Sequence, residues 1–317
     1  MVDRAKEDAS TGPGDAGGPP HRCGFIAIVG APNAGKSTLV NALVGTKIAI
    51  VSRKVQTTRV PVRGIAMEGP SQLVFIDTPG LFAPKRRLDR AMVEAAAGAA
   101  ADADVVALVI DAAKGLDAEA TSILERLAPL TSPRVLVLNK VDKLTKKEAL
   151  LALSAKIHER LAFTNTFMIS AEGGSGVAAL RTWLATHVPV GPWHYPEDEI
   201  TDATERTTAA EVTRERIYHL LHDELPYQTT VETTAFKELR DGSVRIEQTV
   251  YVERDSQKRI VLGEGGQTVK QISSESRAEL ARMFERAVHL FIFVKVRENW
   301  ENDPERYREM GLDFPKE

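Results

Sequence analysis

The stretch "GAPNAGKST" sets Gly30, Gly35, Lys36 and Ser37 at the spacing G-x-x-x-x-G-K-[ST], after the apolar run "FIAIVG" and before a helix-like segment. Glycines there let successive backbone N–H groups curl around phosphates, and a helix N-terminus adds its dipole. Gly30, Asn33, Ala34, Gly35, Lys36, Ser37 and Thr38 are therefore expected to cradle a nucleotide, with Lys36 on the β and γ phosphates and the Ser37 hydroxyl on Mg2+. Three more motifs follow in order. "DTPG" ends a predicted strand, so Asp77 can hold Mg2+ through water and the Gly80 amide can meet the γ-phosphate. "NKVD" supplies Asn139, Lys140 and Asp142. A carboxylate at Asp142 accepts from the guanine ring N–H and exocyclic amine, a donor pair that adenine lacks, so ATP would leave a buried charge unpaired. "SAEGG" offers the backbone N–H groups of Ser170 and Ala171 to the guanine oxygen. Four motifs in this register predict GTP or GDP with Mg2+ as the ligands.

Between the first two motifs, "SRKVQTTRV" holds Thr57 and Thr58 in a polar stretch where a switch loop needs a hydroxyl for Mg2+. Thr58 is favoured as that ligand, with Thr57 the alternative; Lys36, Thr58 and Gly80 form the expected catalytic set. In Ras-like enzymes a glutamine after the second motif orients the attacking water, but here Leu81 and Phe82 follow. Slow intrinsic turnover is expected, with water held by backbone or by a monovalent cation; Asn33 in the phosphate loop points to K+.

The elements that must position these residues follow from the alternation of apolar runs "FIAIVG", "QLVFID", "DVVALVID", "RVLVLNK" and "FMISA" with segments long enough for crossover helices. That pattern predicts an α/β domain over residues 21–187, a mostly parallel sheet with helices on both faces. Residues 1–20, rich in Gly, Pro and Asp, read as a disordered leader. Three prolines in "HVPVGPWHYPEDEITD" mark an extended linker over 188–203. Residues 204–300 read as a second, α+β unit: a helix, two β-rich runs joined at Asp241-Gly242, a glycine loop, a helix from about Gln267 to Ala287 and a final strand "HLFIFVKVR"; a tail covers 301–317. Trp300 reads as a packing anchor that could cap this second unit.

Composition narrows the classes. The 317 residues, 43% hydrophobic and 27% charged with a formal net charge of −3, give no bulk electrostatic reason for a nucleic-acid or membrane partner. A single cysteine, Cys23, excludes an intrachain disulfide and suits a reducing cytoplasm. No apolar run is long enough to span a bilayer. His219 and His222, three apart on a predicted helix, read as ordinary surface or core histidines rather than metal ligands.

The second glycine loop, "IVLGEGGQTVKQI", lacks the Lys-Ser/Thr pair that would hold a triphosphate. Together with "SRKVQTTR", "DTPGL", "GPWHYPEDEITD", "ERTTAAEVTRERIYHLLHDELPY" and "VERDSQKRIVLGEGGQTVKQI", it resembles the Era family of bacterial GTPases over residues 24–313. The linker and the helix after it weigh most, since generic GTPases lack them. The resemblance implies that the second unit is a type II KH domain whose G-x-x-G loop, Gly263, Glu264, Gly265 and Gly266, clamps a short RNA strand. Lys258, Arg259 and Lys270 are its expected cationic contacts, while Ile260, Leu262, Val269 and Ile272 should build groove wall and core.

It further implies a GTP switch that binds the 3′ end of 16S rRNA, assists assembly of the 30S ribosomal subunit, and works as a cytoplasmic monomer with possible peripheral contact to the inner membrane. An RNA-binding adaptor with a weakly hydrolysing G domain and a membrane-associated cell-cycle GTPase are the alternatives. Two departures stand out: Glu264 lies where related loops commonly carry a basic residue, and Ser273 where the family often has glycine. Residues 237–300 hold 12 basic and 10 acidic side chains, so the RNA expectation rests on the loop and the resemblance rather than on charge.

Overall fold

A computed structural model describes residues 19–222 and 225–315, so most of the expected leader lies outside the described residues. The first unit runs β1 (Arg22–Gly30), α1 (Lys36–Val44), β2 (Val62–Glu68), β3 (Ser71–Asp77), α2 (Arg87–Asp102), β4 (Val105–Asp111), α3 (Ala118–Leu127), β5 (Arg134–Asn139), α4 (Glu148–His158), β6 (Asn165–Met168) and α5 (Val177–His187). Its six-stranded sheet has the order β2-β3-β1-β4-β5-β6, and every pairing is parallel except β2 with β3. The central strands are apolar on both sides because helices cover both faces. On one face Leu39, Leu43, Leu180 and Leu184 meet Ile26, Ile28 and Phe75. On the other Ala96, Ala100, Ile123, Leu124 and Ile157 meet Ala27, Val106 and Leu136. The small side chains of the alanine-rich α2 let that helix lie close to the sheet.

β2 was not among the apolar runs. It is an edge strand interrupted by Gly64, where a Cβ would come within 2.4 Å of Ile48 and 2.7 Å of Val44. A glycine needed for close packing of α1 thus erased the apolar alternation that would have revealed the strand.

The second unit runs α6 (Glu205–Leu220), β7 (Thr230–Glu238), β8 (Val244–Val252), α7 (Asp255–Leu262), α8 (Gln267–Met283) and β9 (Val288–Val296). The sheet order is β7-β8-β9, with β7 antiparallel and β9 parallel to β8, the type II KH arrangement. The Asp241-Gly242 turn joins β7 to β8: Gly242 sits at φ 80°, and the Asp241 carboxylate accepts from the Ser243 amide at 3.0 Å. Helix α8 stops four residues short of the expected Ala287, and Glu285 adopts φ 52° on the way into β9. The apolar "IVL" lies on helix α7: Val261 and Ile272 are buried and Leu262 and Val269 pack against them, but Ile260 is 56% exposed and belongs to no core.

The linker is extended, and it is strapped along the first sheet. Cys23 N donates to Pro189 O at 3.1 Å, Ile65 N to Ile200 O at 2.8 Å, and Arg63 pairs with Asp202 at 2.7 Å. Among the described residues no helix is long and apolar enough to cross a membrane.

The expectation that Trp300 caps the second unit needs correction. Asn299 at φ 55° turns the chain, and α9 (Pro304–Met310) carries the segment set apart as a tail back onto α2. Trp300 and Tyr307, both fully buried, pack with Leu88, Ala91 and Met92, while the Trp300 indole donates to Gln228 O at 3.1 Å. Trp300 is therefore an anchor between the two units. Trp300→Ala should cost about 3–5 kcal/mol, read as a lowered midpoint of denaturant unfolding; an unchanged midpoint would show that the anchor does not stabilise the assembly.

Candidate functional site

The strand-to-helix turn after β1 places the phosphate loop at the carboxyl edge of the sheet, beside the ends of β3 and β5. A cleft of about 600 Å3 opens there, lined by Asn33, Gly35, Lys36, Ser37, Thr38, Thr57, Thr58, Gly80 and Lys140. Gly35 adopts φ 97°, and a Cβ on it would lie 2.3 Å from the Asn139 side-chain nitrogen, so both backbone conformation and space require glycine.

Three oxygen ligands converge on the floor. Ser37 Oγ donates to Asp77 Oδ2 at 2.7 Å, Thr58 Oγ1 donates to the same atom at 3.1 Å, and the two hydroxyls are 3.0 Å apart. Asp77 is fully buried, and its Oδ1 has no hydrogen-bond partner among the described residues. A buried carboxylate oxygen without a partner, next to two hydroxyls, is an all-oxygen donor set that fits a hard divalent cation such as Mg2+. Thr57 points elsewhere: its hydroxyl donates to Lys54 O at 2.9 Å and meets Ser52 Oγ at 2.7 Å. Of the two threonines, only Thr58 reaches the oxygen cluster.

Lys36 is buried and turns its ammonium onto Gly30 O at 3.2 Å and Ala31 O at 3.0 Å. Burial lowers its pKa to about 8, against the opposing pull of the Asp77 charge. Burial likewise raises Asp77 to about 6, against the Ser37 bond, the Lys36 charge and the Thr58 bond. Lysine and carboxylate are thus both held dry, each short of the partners that phosphates and a cation bring.

The base side is tied to the phosphate side through Asn139. Its Nδ2 donates to Ala34 O at 2.9 Å, and its Oδ1 accepts from Ala171 N at 3.0 Å and Lys140 N at 2.8 Å. Lys140 donates to Asn33 O at 2.6 Å and pairs with Asp111 at 2.7 Å. Ser170, hydrogen-bonded to Asp142, holds that exposed carboxyl below its ordinary range. The cleft lining includes their neighbours Lys143 and Glu172 but not Asp142, Ser170 or Ala171 themselves.

Sequence reasoning missed Gln56, Arg53, Lys143, Glu172 and His219, which also line the cleft. Lys143 follows "NKVD" and Glu172 lies within "SAEGG", so sequence distance could have found them. His219 could not be found that way: it lies on α6 of the second unit, and its Nε2 is 3.1 Å from Val51 O. Asn33, at φ 61°, donates its side chain to Arg53 O at 2.9 Å, so its amide is engaged with the switch stretch. Leu81 is buried in the core, which removes it from any role toward water.

The stretch around Thr58 is held by the second unit. Arg59, only 4% exposed, donates to Thr229 O at 2.8 Å and Tyr227 O at 3.1 Å, and to Pro226 O and Tyr218 Oη, both at 3.3 Å. Val51 N donates to Glu215 at 2.8 Å, and Lys47 pairs with Glu215 at 2.6 Å and Glu279 at 3.1 Å.

The second glycine loop joins α7 to α8. Gly263, Gly265 and Gly266 all have positive φ, and a Cβ on Gly263 would meet Thr268 Oγ1 at 2.2 Å. Arg259, Glu264 and Lys270 are exposed and Lys258 is half-buried; the three cations have no carboxylate partner among the described residues. Glu264 stands inside the loop, where a phosphate would pass.

Two family models match the chain: "50S ribosome-binding GTPase" over residues 25–140 and "KH domain" over residues 224–301. The chain is similar to GTPase Era of Bradyrhizobium sp. (strain ORS 278), 62% identical over 296 residues that cover 93% of this chain and 96% of that protein. It is 56% identical over 316 residues to GTPase Era of Rhizobium meliloti (strain 1021), covering 100% and 99%. Two solved structures superpose with TM-score 0.88 at 36% identity, covering 92% of this chain and 99% of theirs. One is an Aquifex aeolicus Era variant bound to GDP and AlF4−, the other Era in complex with MgGDPNP and nucleotides 1506–1542 of 16S ribosomal RNA.

The raised Asp77 pKa gives the Mg2+ dependence of GTP binding a sign. A cation needs the ionised carboxylate, so protons compete with it, and the affinity gained on adding Mg2+ should be full only well above pH 6 and be lost as pH falls through about 6. Calorimetric titration with and without Mg2+ on either side of that pH checks this. Asp77→Asn should remove both the gain and its pH dependence.

Proposed function

The chain belongs to the Era family of GTPases and hydrolyses GTP, and from that premise we propose that it is a cytoplasmic switch whose KH domain binds the 3′ region of 16S rRNA and assists 30S subunit assembly. The observation that carries the switch is the adjacency of Thr58 and Arg59. One side chain reaches the oxygen cluster of the nucleotide cleft, and the next is buried in the KH domain. The RNA target is supported by the Era complex with nucleotides 1506–1542 of 16S rRNA.

In this reading Ser37, Thr58 and Asp77 hold Mg2+, which when bound neutralises charge developing on the transferred phosphate. Lys36 exchanges the carbonyls of Gly30 and Ala31 for phosphate oxygens, and the Gly80 amide meets the γ-phosphate. Bound cation and γ-phosphate would hold Thr58 at the oxygen cluster, where its hydroxyl already bonds Asp77. Movement of Thr58 after hydrolysis pulls on Arg59, whose four bonds all end in the KH domain, so the nucleotide state biases how that domain is held. The coupling route thus runs through the switch stretch as well as through the strapped linker.

Leu81 is buried and neither it nor Phe82 carries a polar group to orient water, which favours slow intrinsic turnover. Asn33 is the group through which K+ would act. Faster hydrolysis in potassium than in sodium buffer is expected, and equal rates would remove the cation from the mechanism.

Two variants test the rest. RNA affinity should differ between the forms loaded with GDPNP and GDP by a coupling of about 1–3 kcal/mol. Arg59→Ala should shrink that difference while leaving GTP affinity nearly intact; an undiminished difference would place the coupling elsewhere. Glu264→Lys should tighten RNA binding by about 1 kcal/mol per phosphate met without changing GTP affinity, and weaker binding would mean that the glutamate itself contacts RNA.

A further inference from the structure

Two phenylalanines on the edge strand of the KH sheet have no packing explanation. Phe291 and Phe293 are 44% and 51% exposed, although the residues between and around them, Leu290, Ile292 and Val294, face the helices. Strand alternation puts His289, Phe291, Phe293 and Lys295 together on the open face, away from α7 and α8. Register with β8 places Arg245 beside His289, Glu247 beside Phe291, Thr249 beside Phe293 and Tyr251 beside Lys295. Lys237 of β7 lies beside Arg245.

The two rings, roughly 6.6 Å apart along the strand, are therefore bracketed by cations. Lys237 and Arg245 stand at one end, beside His289, and Lys295 at the other. The Arg245 guanidinium sits 4.7 Å from the centre of the Phe291 ring and holds Glu247 at 2.8 Å, and Glu232 of β7, opposite Thr249 on the same face, is held by Arg306 at 2.6 Å, so both acids in those rows are already compensated. Lys237 and Lys295 have no carboxylate partner among the described residues.

The geometry points to a base-stacking platform on the open face of the KH sheet, where Phe291 and Phe293 take unpaired bases of the same RNA strand that the G-x-x-G loop clamps. This rests on the reading that the chain binds RNA. Solvated rings flanked by cations match what single-stranded nucleic acid offers, a π-face on every base and a phosphate between bases. Position supports it as well. β9 is the edge strand, with α7 and α8 packed behind it, and the glycine loop is the junction of those two helices. A strand leaving the loop can cross that edge onto the open face. A second protein copy fits less well: two half-exposed rings present about 200 Å2, against roughly 800 Å2 per partner in a stable interface.

The test uses the full chain loaded with GDPNP and fluorescent RNA corresponding to nucleotides 1506–1542, read by anisotropy. Both side chains are half in solvent, so Phe291→Ala/Phe293→Ala should fold and hydrolyse GTP as the parent does. Its RNA affinity should fall by roughly tenfold or more, and Phe291→Tyr/Phe293→Tyr, which keeps the rings, should bind near the parental level. If the parent binds RNA and the alanine variant binds it equally well, the platform is wrong and the RNA reading survives. If the parent does not bind the RNA at all, the RNA reading fails and takes the platform with it. Sedimentation velocity supplies the remaining arm: self-association of the parent that the alanine variant lacks would assign the face to a second copy and overturn the proposal.

Discussion

A guanidinium cannot be dried without partners, and the four hydrogen bonds of Arg59 all end in the other domain. That one constraint fixes much of the molecule. It requires residues 226–229 to present carbonyls inward, and it brings Tyr218 of α6 against the switch stretch. It also places Thr58 within reach of Asp77, since consecutive residues cannot move independently. Lys47 and Val51, both bonded to Glu215, repeat the arrangement earlier in the same non-helical stretch. The stretch that reaches the oxygen cluster of the nucleotide cleft is here also the stretch that holds the second domain.

The nucleotide cleft depends on a similar imbalance. Lys36 and Asp77 are buried charges whose mutual attraction only partly offsets desolvation, hence the lowered lysine and the raised carboxylate. Asn139 keeps this unsatisfied floor in shape by bonding the phosphate loop on one side and the base loop on the other. A ligand that brings phosphates to the lysine and a cation to the carboxylate relieves both at once. Triphosphate and metal should therefore bind cooperatively here.

Local chemistry was legible in the sequence because it is written at fixed spacing. The phosphate loop, the "DTPG" and "NKVD" turns, the helix order and the Asp241-Gly242 turn all depend on neighbours in the chain. What escaped notice depends on contacts between distant residues. β2 is hidden because Gly64 serves the packing of α1. Trp300 was taken for a cap of the second unit because nothing in "ENWENDPERYREM" records that its hydrophobic partners are Leu88, Ala91 and Met92. The role of Arg59 was overlooked for the same reason: in "QTTRV" an arginine reads as solvated, and only the fold shows where it points.

The two glycine loops show how far shared backbone logic extends. Each uses positive-φ glycines to turn the chain sharply, and each stands before a helix. The first buries a lysine and a carboxylate beside that turn, which selects a compact polyanion carrying its own cation. The second leaves its charges in solvent and places a glutamate inside the turn, so it gains little electrostatic affinity from any one phosphate. A loop of that kind needs contacts elsewhere to hold a ligand, and contacts spread along an extended strand are what a polymer offers. The weakness of the second loop is thus an argument for a long ligand, in the same way that the dry floor of the first argues for a small one.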